Sequence, residues 1–465
     1  MNCPESVTVA EPREPAPRAP ARDLGIGALL ASAGLVASFA ALGLNSITVS
    51  RIQGAEGAGL VALSTQVILL AVFVAGIGMR TSVAYQVGAG LWSPRSAVLG
   101  ALRASLGLGL LGAGLGFGVY LLLRHSAMSE FSPAMAATLM AALPFALAWW
   151  IAPAVPLACE GFEQYALLTV AAPGAVLVVC PLGALVGGSA GIVIGFAAGY
   201  VAGGAVTIAW ALRFARTREA GRGPEHGVRA AGAFGLRAWV NDLFQFINVR
   251  PDLFIVSAYY GVASAGVYAV AISITSLVWI LSQPLASVVL PRTASLRAIS
   301  VAEPRMATSE PHASAVRHAV LVCALGAAGV IVVLAVAPLV WGPGFGRIPE
   351  LGLILVPGVA LLGVARVMVA AFTGRGAANH ALLVGLVSFP LTLVAFLFVI
   401  PDHGSTGAAL VSCASYVVAS LLSALLFFRS TGARAADALV PRRGDLHDYV
   451  KLARRVRKGL LARRA

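Results

Sequence analysis

The chain has 465 residues, of which 59% are hydrophobic and only 11% charged, with a mean hydropathy of +0.88. A soluble domain carries about 25% charge, so this composition excludes a water-soluble core. The net charge of +14 would suggest nucleic acid in a soluble protein, but here the basic residues cluster in connections and in the C-terminal tail. Membrane orientation explains them better, and no nucleic-acid partner is expected.

The first 22 residues are rich in Pro, Ala and Glu and lack an apolar core. They read as a disordered cytoplasmic tail and not as a signal peptide. Apolar runs of about twenty residues follow, long enough to cross a bilayer as helices; a β-barrel would show short alternating strands instead. The predicted spans are 24–49, 59–79, 97–123, 134–157, 165–186 and 191–212, then 232–257, 265–290, 316–340, 349–373, 380–400 and 405–428. The expected fold is therefore all-α, with about twelve transmembrane helices. The first six occupy 23–213 and the last six 232–428, joined by a cytoplasmic linker over 214–231.

With alternating spans, 28 Arg and Lys residues fall on the side of both termini and only Arg51, Arg124 and Arg347 on the other; Arg250 and Arg366 fall inside spans. By the positive-inside rule both termini are cytoplasmic. The tail 429–465 ends in a partly amphipathic stretch, with Leu446, Tyr449, Val450, Ala453, Val456 and Leu460 on one stripe and Lys451, Arg454, Arg455, Arg457 and Lys458 around the other side. Such a helix can rest on anionic lipid, and a solvated basic tail is the plainer alternative.

The two halves also repeat. A shift of 207 pairs Ser50, Gly54, Ala58, Gly59 and Ala62 with Ser257, Gly261, Ala265, Gly266 and Ala269. A shift of 216 pairs Gly188, Ser189, Gly191, Tyr200 and Arg213 with Gly404, Ser405, Gly407, Tyr416 and Arg429. Six helices per half gives repeats of like orientation, hence two lobes around a central cavity.

Two enzyme-like motifs are expected to be structural. Gly107, Gly109 and Gly112 fit GxGxxG, but they lie inside a span with no preceding strand. Gly187, Ser189 and Gly191 fit GxSxG, but the repeat copy Gly404-Ser405-Thr406-Gly407 indicates a turn opening a membrane helix. The five cysteines are dispersed, and neither a disulfide framework nor a metal or cofactor site is indicated. Four of them read as small membrane-helix residues.

Polar residues inside spans carry more information, because hydrocarbon penalises them. Asn241, Gln245, Asn248 and Asp252 follow helical spacing and share one face of the seventh span. That stripe reads as a cavity wall, with interhelical hydrogen bonding as the alternative. Arg250 lies across Pro251 from Asp252, close enough for a local pair or for contact with an anion. Under the 207 shift Asn45 is the first-lobe counterpart of Asp252. Arg51 follows the first span at the external mouth, Arg80 ends the second, and Arg366 lies about nine residues from the cytoplasmic end of the tenth, where it can snorkel or line the cavity. Gln66, Tyr85, Ser273, Ser276 and Gln283 are weaker lining candidates.

The stretch Arg250-Pro-Asp-Leu-Phe-Ile-Val-Ser-Ala-Tyr-Tyr-Gly261, continuing Ser264-Ala-Gly-Val-Tyr-Ala-Val270, resembles polysaccharide-biosynthesis flippases of the multidrug/oligosaccharidyl-lipid/polysaccharide (MOP) exporter superfamily. Ser50-Arg51-Ile-Gln-Gly54 with Gly57-Ala-Gly59, and Glu160-Gly161 with Tyr165-Ala-Leu167, resemble other helix junctions of that group. The resemblance implies a plasma-membrane transporter, not an enzyme, that flips a lipid-linked oligosaccharide, carried on undecaprenyl pyrophosphate, by alternating access. It makes Arg51, Arg250 and Asp252 the leading substrate contacts, with glycan-assembly proteins as partners. Drug or metabolite antiport within the same superfamily is the alternative, although the first span offers only Asp23 as a carboxylate. A membrane glycan polymerase or ligase would need a large external loop, and every predicted external connection is short.

Overall fold

The structure, a computed structural model, describes residues 22–126, 128–217, 251–283, 310–375 and 378–440, with Gly235, Leu236, Trp239, Leu285, Ala286, Val289, Thr293 and Arg442 besides. Within these residues the regular elements are helices. The first is α1, Arg22–Gly76, at 55 residues. A straight helix of that length would span about 80 Å, against a hydrocarbon thickness of about 30 Å. It therefore reverses, at Gln53 and Gly54 (φ 65°, ψ −153°), and residues eight apart meet: a Cβ on Gly57 would stand 3.1 Å from the Val49 side chain.

Two further helices do the same. The 55 residues of α7, Phe162–Arg216, turn at Gly188 (φ 57°, ψ −140°), and its two arms run antiparallel through glycine contacts. A Cβ on Gly195 would lie 2.8 Å from the Val179 carbonyl oxygen, and one on Gly199 2.6 Å from the Val176 Cα. The third doubled helix, Ala378–Thr431, turns at Gly404 with the same angles (φ 57°, ψ −140°). Its arms are tied where the Thr392 and Ser415 hydroxyls meet at 2.5 Å. Only glycine adopts that backbone conformation without strain, so the identical angles at Gly188 and Gly404 are the repeat written in the backbone. A fourth turn, at Gly261 (φ 79°, ψ 167°), interrupts α8, Pro251–Ile280, at the position that corresponds to Gly54.

The other elements are simpler. In the first half they are α2 (Met79–Gly88), α3 (Pro94–Leu123), α4 (Pro133–Ala141), α5 (Leu143–Ile151) and α6 (Ala154–Ala158). The second half adds α9 (Glu310–Trp341), α10 (Ile348–Gly374), α11 (Ala378–Thr431) and a short α12 (Ala435–Leu439). Ser93 and Ser132 cap α3 and α4 through side-chain oxygens that accept from Ser96 and Met135 N–H. The expected single span 134–157 is divided into α4, α5 and α6, because Pro144, Pro153 and Pro156 deny it a continuous ladder.

Eight helical segments among the described residues are long and apolar enough to cross a membrane, with α4 to α6 counted together as Pro133–Ala158. Three of them are the hairpins just described, which leaves one of the twelve expected crossings, 232–257, described mainly from Pro251 onward. Leu122, Val186 and Phe398 are 82%, 91% and 76% exposed, as a lipid-facing surface requires. The protein is a multi-pass membrane protein built as two lobes, and each lobe has its own apolar core. One core runs from Val49 to Ala215 and takes in Val262; the other runs from Leu253 to Ala438 and takes in Ala58.

Candidate functional site

The lobes meet along α1 and α8, and small residues set their spacing. A Cβ on Gly59 would collide with the Val262 backbone, and one on Gly266 would lie 2.6 Å from the Gly59 nitrogen. The second arm of α1 therefore touches the second arm of α8 almost backbone to backbone, just beyond the turns at Gly54 and Gly261. Arg51 closes the same end. Its Nε donates to the Val340 carbonyl at 2.7 Å and its guanidinium also reaches the Leu339 carbonyl. These are among the last carbonyls of α9, which no helical N–H can satisfy and toward which the helix dipole draws a cation. Beside it the Trp341 indole N–H donates to the Ser46 hydroxyl at 3.4 Å. Arg51 is exposed and engaged by backbone from the other lobe.

Behind this closure stand the two polar positions that the repeat pairs. Asp252 is 1% exposed and Asn45 0%. The Asp252 carboxylate accepts from the Tyr268 hydroxyl at 2.6 Å, from Ser412 Oγ at 3.3 Å, and through its other oxygen from the Leu253 N–H at 2.9 Å. Tyr268 and Ser412 are themselves 3.1 Å apart, so α8 and α11 are joined around one buried charge. Charge-assisted bonds of this kind are what make a buried carboxylate tolerable.

Asn45 has no such shell. It adjoins the Cys180 thiol, but neither its Oδ1 nor its Nδ2 makes a well-formed hydrogen bond. Ser64 Oγ and Gln66 Oε1, on the second arm of α1, are buried and unpartnered as well. Gln53 Nε2 finds the Ala184 carbonyl at 2.8 Å, and Ser189 Oγ reaches Glu56 at 3.2 Å across the two hairpins of the first lobe.

Of the residues singled out in the sequence, Asn45, Arg51 and Asp252 are thus placed near the lobe junction. Asn241, Gln245, Asn248 and Arg250 lie outside the described residues, as do the linker beyond Thr217 and the tail beyond Arg442. Sequence reasoning missed Tyr268 and Ser412. Tyr268 stood inside the family-like stretch but carried no periodic signal, and a single membrane Ser carries none. Both glycine motifs lie within helices: a Cβ on Gly109 would stand 2.5 Å from the Pro144 Cα, and Ser189 follows the Gly188 turn. Cys180, Cys323 and Cys413 sit in helices, whereas Cys159 is an exposed residue capping α6.

A cleft of about 300 Å³ lined by Gly27, Leu30, Glu160 and Phe162 opens at the far end of the first lobe. A smaller one of about 110 Å³ lies between the arms of α11, beside Thr392 and Ser415. Neither is lined by Asn45 or Asp252.

Residues 161–302 match the model of a family described as "Polysaccharide biosynthesis protein". No curated protein matches the chain by sequence. Among solved structures, the lipid II flippase MurJ in an inward closed conformation superposes with a TM-score of 0.67 at 14% identity, over 88% of this chain and 89% of that one. A multidrug resistance MATE family transporter superposes at 0.63 in an inward-facing conformation, at 17% identity, over 86% of this chain and 98% of that one. An outward-facing conformation of a MATE family transporter gives 0.62 at 16% identity, over 88% and 96%. Near-equal scores for opposite states mean that the likeness speaks to fold and not to conformation. Paired turns, two cores and these superpositions agree: the chain has the fold of these MurJ and MATE transporters, and residues 161–302 resemble a polysaccharide-biosynthesis family.

Proposed function

We propose that this protein is a flippase that carries a lipid-linked oligosaccharide or polysaccharide precursor across the plasma membrane by alternating access. The observation that carries the reading is the match of residues 161–302 to a polysaccharide-biosynthesis family. It is supported by the overall likeness to MurJ, a flippase of lipid II. The cargo is an undecaprenyl pyrophosphate-linked glycan, made by glycan-assembly proteins on the cytoplasmic face. Both termini lie in the cytoplasm, and the lobes comprise 23–213 and 232–428. In this arrangement the Arg51 end faces outward and is shut by Gly59, Val262, Gly266 and the Arg51 contact, so the cargo loads from the opposite side. Asn45, Asp252, Asn241, Gln245, Asn248, Arg250 and Arg51 form the polar surface past which the headgroup moves as the lobes rock.

A second reading, ion-coupled export of drugs or metabolites, is favoured by one feature, the sealed carboxylate of Asp252 with its Tyr268 and Ser412 partners. Reconstituted vesicles separate the two. The flippase reading expects protein-dependent transfer of a fluorescent undecaprenyl pyrophosphate oligosaccharide between leaflets, lost in Asp252→Ala. Dye efflux driven by an ion gradient, with no lipid transfer, would replace it by the antiporter reading.

A further inference from the structure

Arg366 stands in the second half of α10 and is half-buried without a hydrogen bond, whereas the other described arginines that lack one, such as Arg103 and Arg213, are exposed to solvent. Arg51 donates to two carbonyls, Arg80 to the Tyr165 hydroxyl at 3.2 Å, Arg317 to the Asp437 carbonyl at 2.5 Å and Arg347 to the Thr406 hydroxyl at 2.7 Å. Among the described residues Arg366 makes no hydrogen bond or ion pair, and its Nε is shielded from solvent without an acceptor. Its one specific contact is the indole of Trp279 on α8, whose centroid lies 4.0 Å from the guanidinium carbon. Stacking of this kind compensates the charge from one face. It leaves the N–H donors along the edge of the planar fork unused, and a guanidinium has five of them and no acceptor.

Snorkelling to the lipid surface does not account for it. The exposed stripe of α10 is Glu350, Leu353, Pro357 and Leu361. At 3.6 residues per turn, nine residues separate Pro357 from Arg366 by about 180°. Arg366 therefore points away from the lipid stripe and into the lobe. It is nonetheless partly accessible, while Ala365 and Val367 beside it are 3% and 0% exposed. The part of the side chain that retains access therefore lies on the face of α10 turned away from that stripe. Tyr416 lies within electrostatic reach of Arg366, one helical turn from Ser412 and hence from the Asp252 cluster. The guanidinium is thus set in the same lobe as the candidate site, on the side expected to face the cytoplasm.

We propose that Arg366 is an anion-binding residue that takes phosphate oxygens of the cargo's diphosphate headgroup, with Trp279 holding the fork in position. Two parallel N–H···O bonds to a phosphate match a planar guanidinium whose face is already occupied. The inference rests on the flippase reading and adds to it the residue and the chemistry that recognise the headgroup.

The test is binding to the purified full chain in detergent, with undecaprenyl pyrophosphate, inorganic pyrophosphate and uncharged undecaprenol as probes. Arg366→Gln should weaken undecaprenyl pyrophosphate binding about tenfold, the size expected for loss of a charge-assisted pair, with undecaprenol binding unchanged. Arg366→Lys keeps a positive charge but not the fork and should fall between; it also serves if the Gln variant does not fold. Inorganic pyrophosphate that binds the wild type and not the variant would identify the bare anion as sufficient. Competition by the lipid alone would make the lipid-borne phosphate the ligand. Equal affinity of wild type, Gln and Lys variants for undecaprenyl pyrophosphate would overturn the assignment of Arg366 and leave the flippase reading standing. Failure of the wild type to bind either polyprenyl probe would overturn both.

Discussion

Asn45 in the first lobe and Asp252 in the second are separated by the repeat shift of 207 residues and are equally sealed from solvent, yet their surroundings differ. Around Asp252 the protein has placed a tyrosine, a serine and a backbone N–H. Around Asn45 it has placed nothing that bonds the amide well, and Ser64 Oγ and Gln66 Oε1 in the same lobe are buried without a partner. A buried carboxylate without donors would be driven out of the fold, so the second lobe had to build its shell. A neutral amide left unpaired costs only about 1–3 kcal/mol, which a lobe can carry if something else, a water or a cargo hydroxyl, pairs with it during the cycle. The backbones were duplicated alike, and the two interiors have been furnished for different work.

That contrast can be broken most sharply at Tyr268. Tyr268→Phe removes the shortest bond to the carboxylate and should lower stability in detergent by about 3 kcal/mol, read as a fall in thermal midpoint. Adding Asp252→Asn removes the charge that the tyrosine hydroxyl compensated and should restore most of the loss. Additive losses in the double variant would show that the tyrosine acts through packing alone. The opposite substitution, Asn45→Leu, loses no well-formed bond and removes the unpaired amide, so it should raise stability by about 1–3 kcal/mol. Transport should nevertheless fall, because the first lobe loses its polar point; a fully active Asn45→Leu protein would make the amide irrelevant to cargo.

The paired turns offer a finer comparison. Gly188→Ala and Gly404→Ala both force a side chain into a glycine conformation, at about 1–3 kcal/mol each. The second should cost more, because its new Cβ would stand 3.1 Å from the Tyr260 ring, whereas the nearest atom to the first is Gln53 Nε2 at 3.8 Å. Thermal midpoints of the two variants check the order. The smallest effect is expected at Arg51. Arg51→Gln loses an exposed cap worth about 0.5–1 kcal/mol, a two- to fivefold shift toward opening at that end, read as faster labelling of a cysteine placed at Gly342. Unchanged labelling would mean that Gly59 and Gly266 hold the closure without it.

Much of this was legible in advance, and the reason is local. Span length and the Gly54/Gly261 and Gly188/Gly404 pairs lie along the chain, so hairpins and a repeat can be read from spacing. The division of 134–157 into three helices could have been read as well, from its three prolines. The sequence makes Arg51 a candidate cargo contact, and the structure adds that it caps a helix of the other lobe; nothing near it in the chain names Val340, 289 residues away. Of the polar stripe read along the seventh span, only Asp252 lies within the described residues.

The sequence by itself determined that this is a membrane protein of paired helical hairpins, because hydrocarbon thickness, hydropathy and glycine's backbone freedom act over a few tens of residues. Only the tertiary structure decided which buried polar groups are satisfied and which are left open. Tyr268 and Ser412 reach Asp252 from 16 and 160 residues away, and Arg366 faces inward because of how α10 is rotated against α8. Rotation of a helix about its axis is set by packing with its neighbours, a sum over contacts that no stretch of the chain contains.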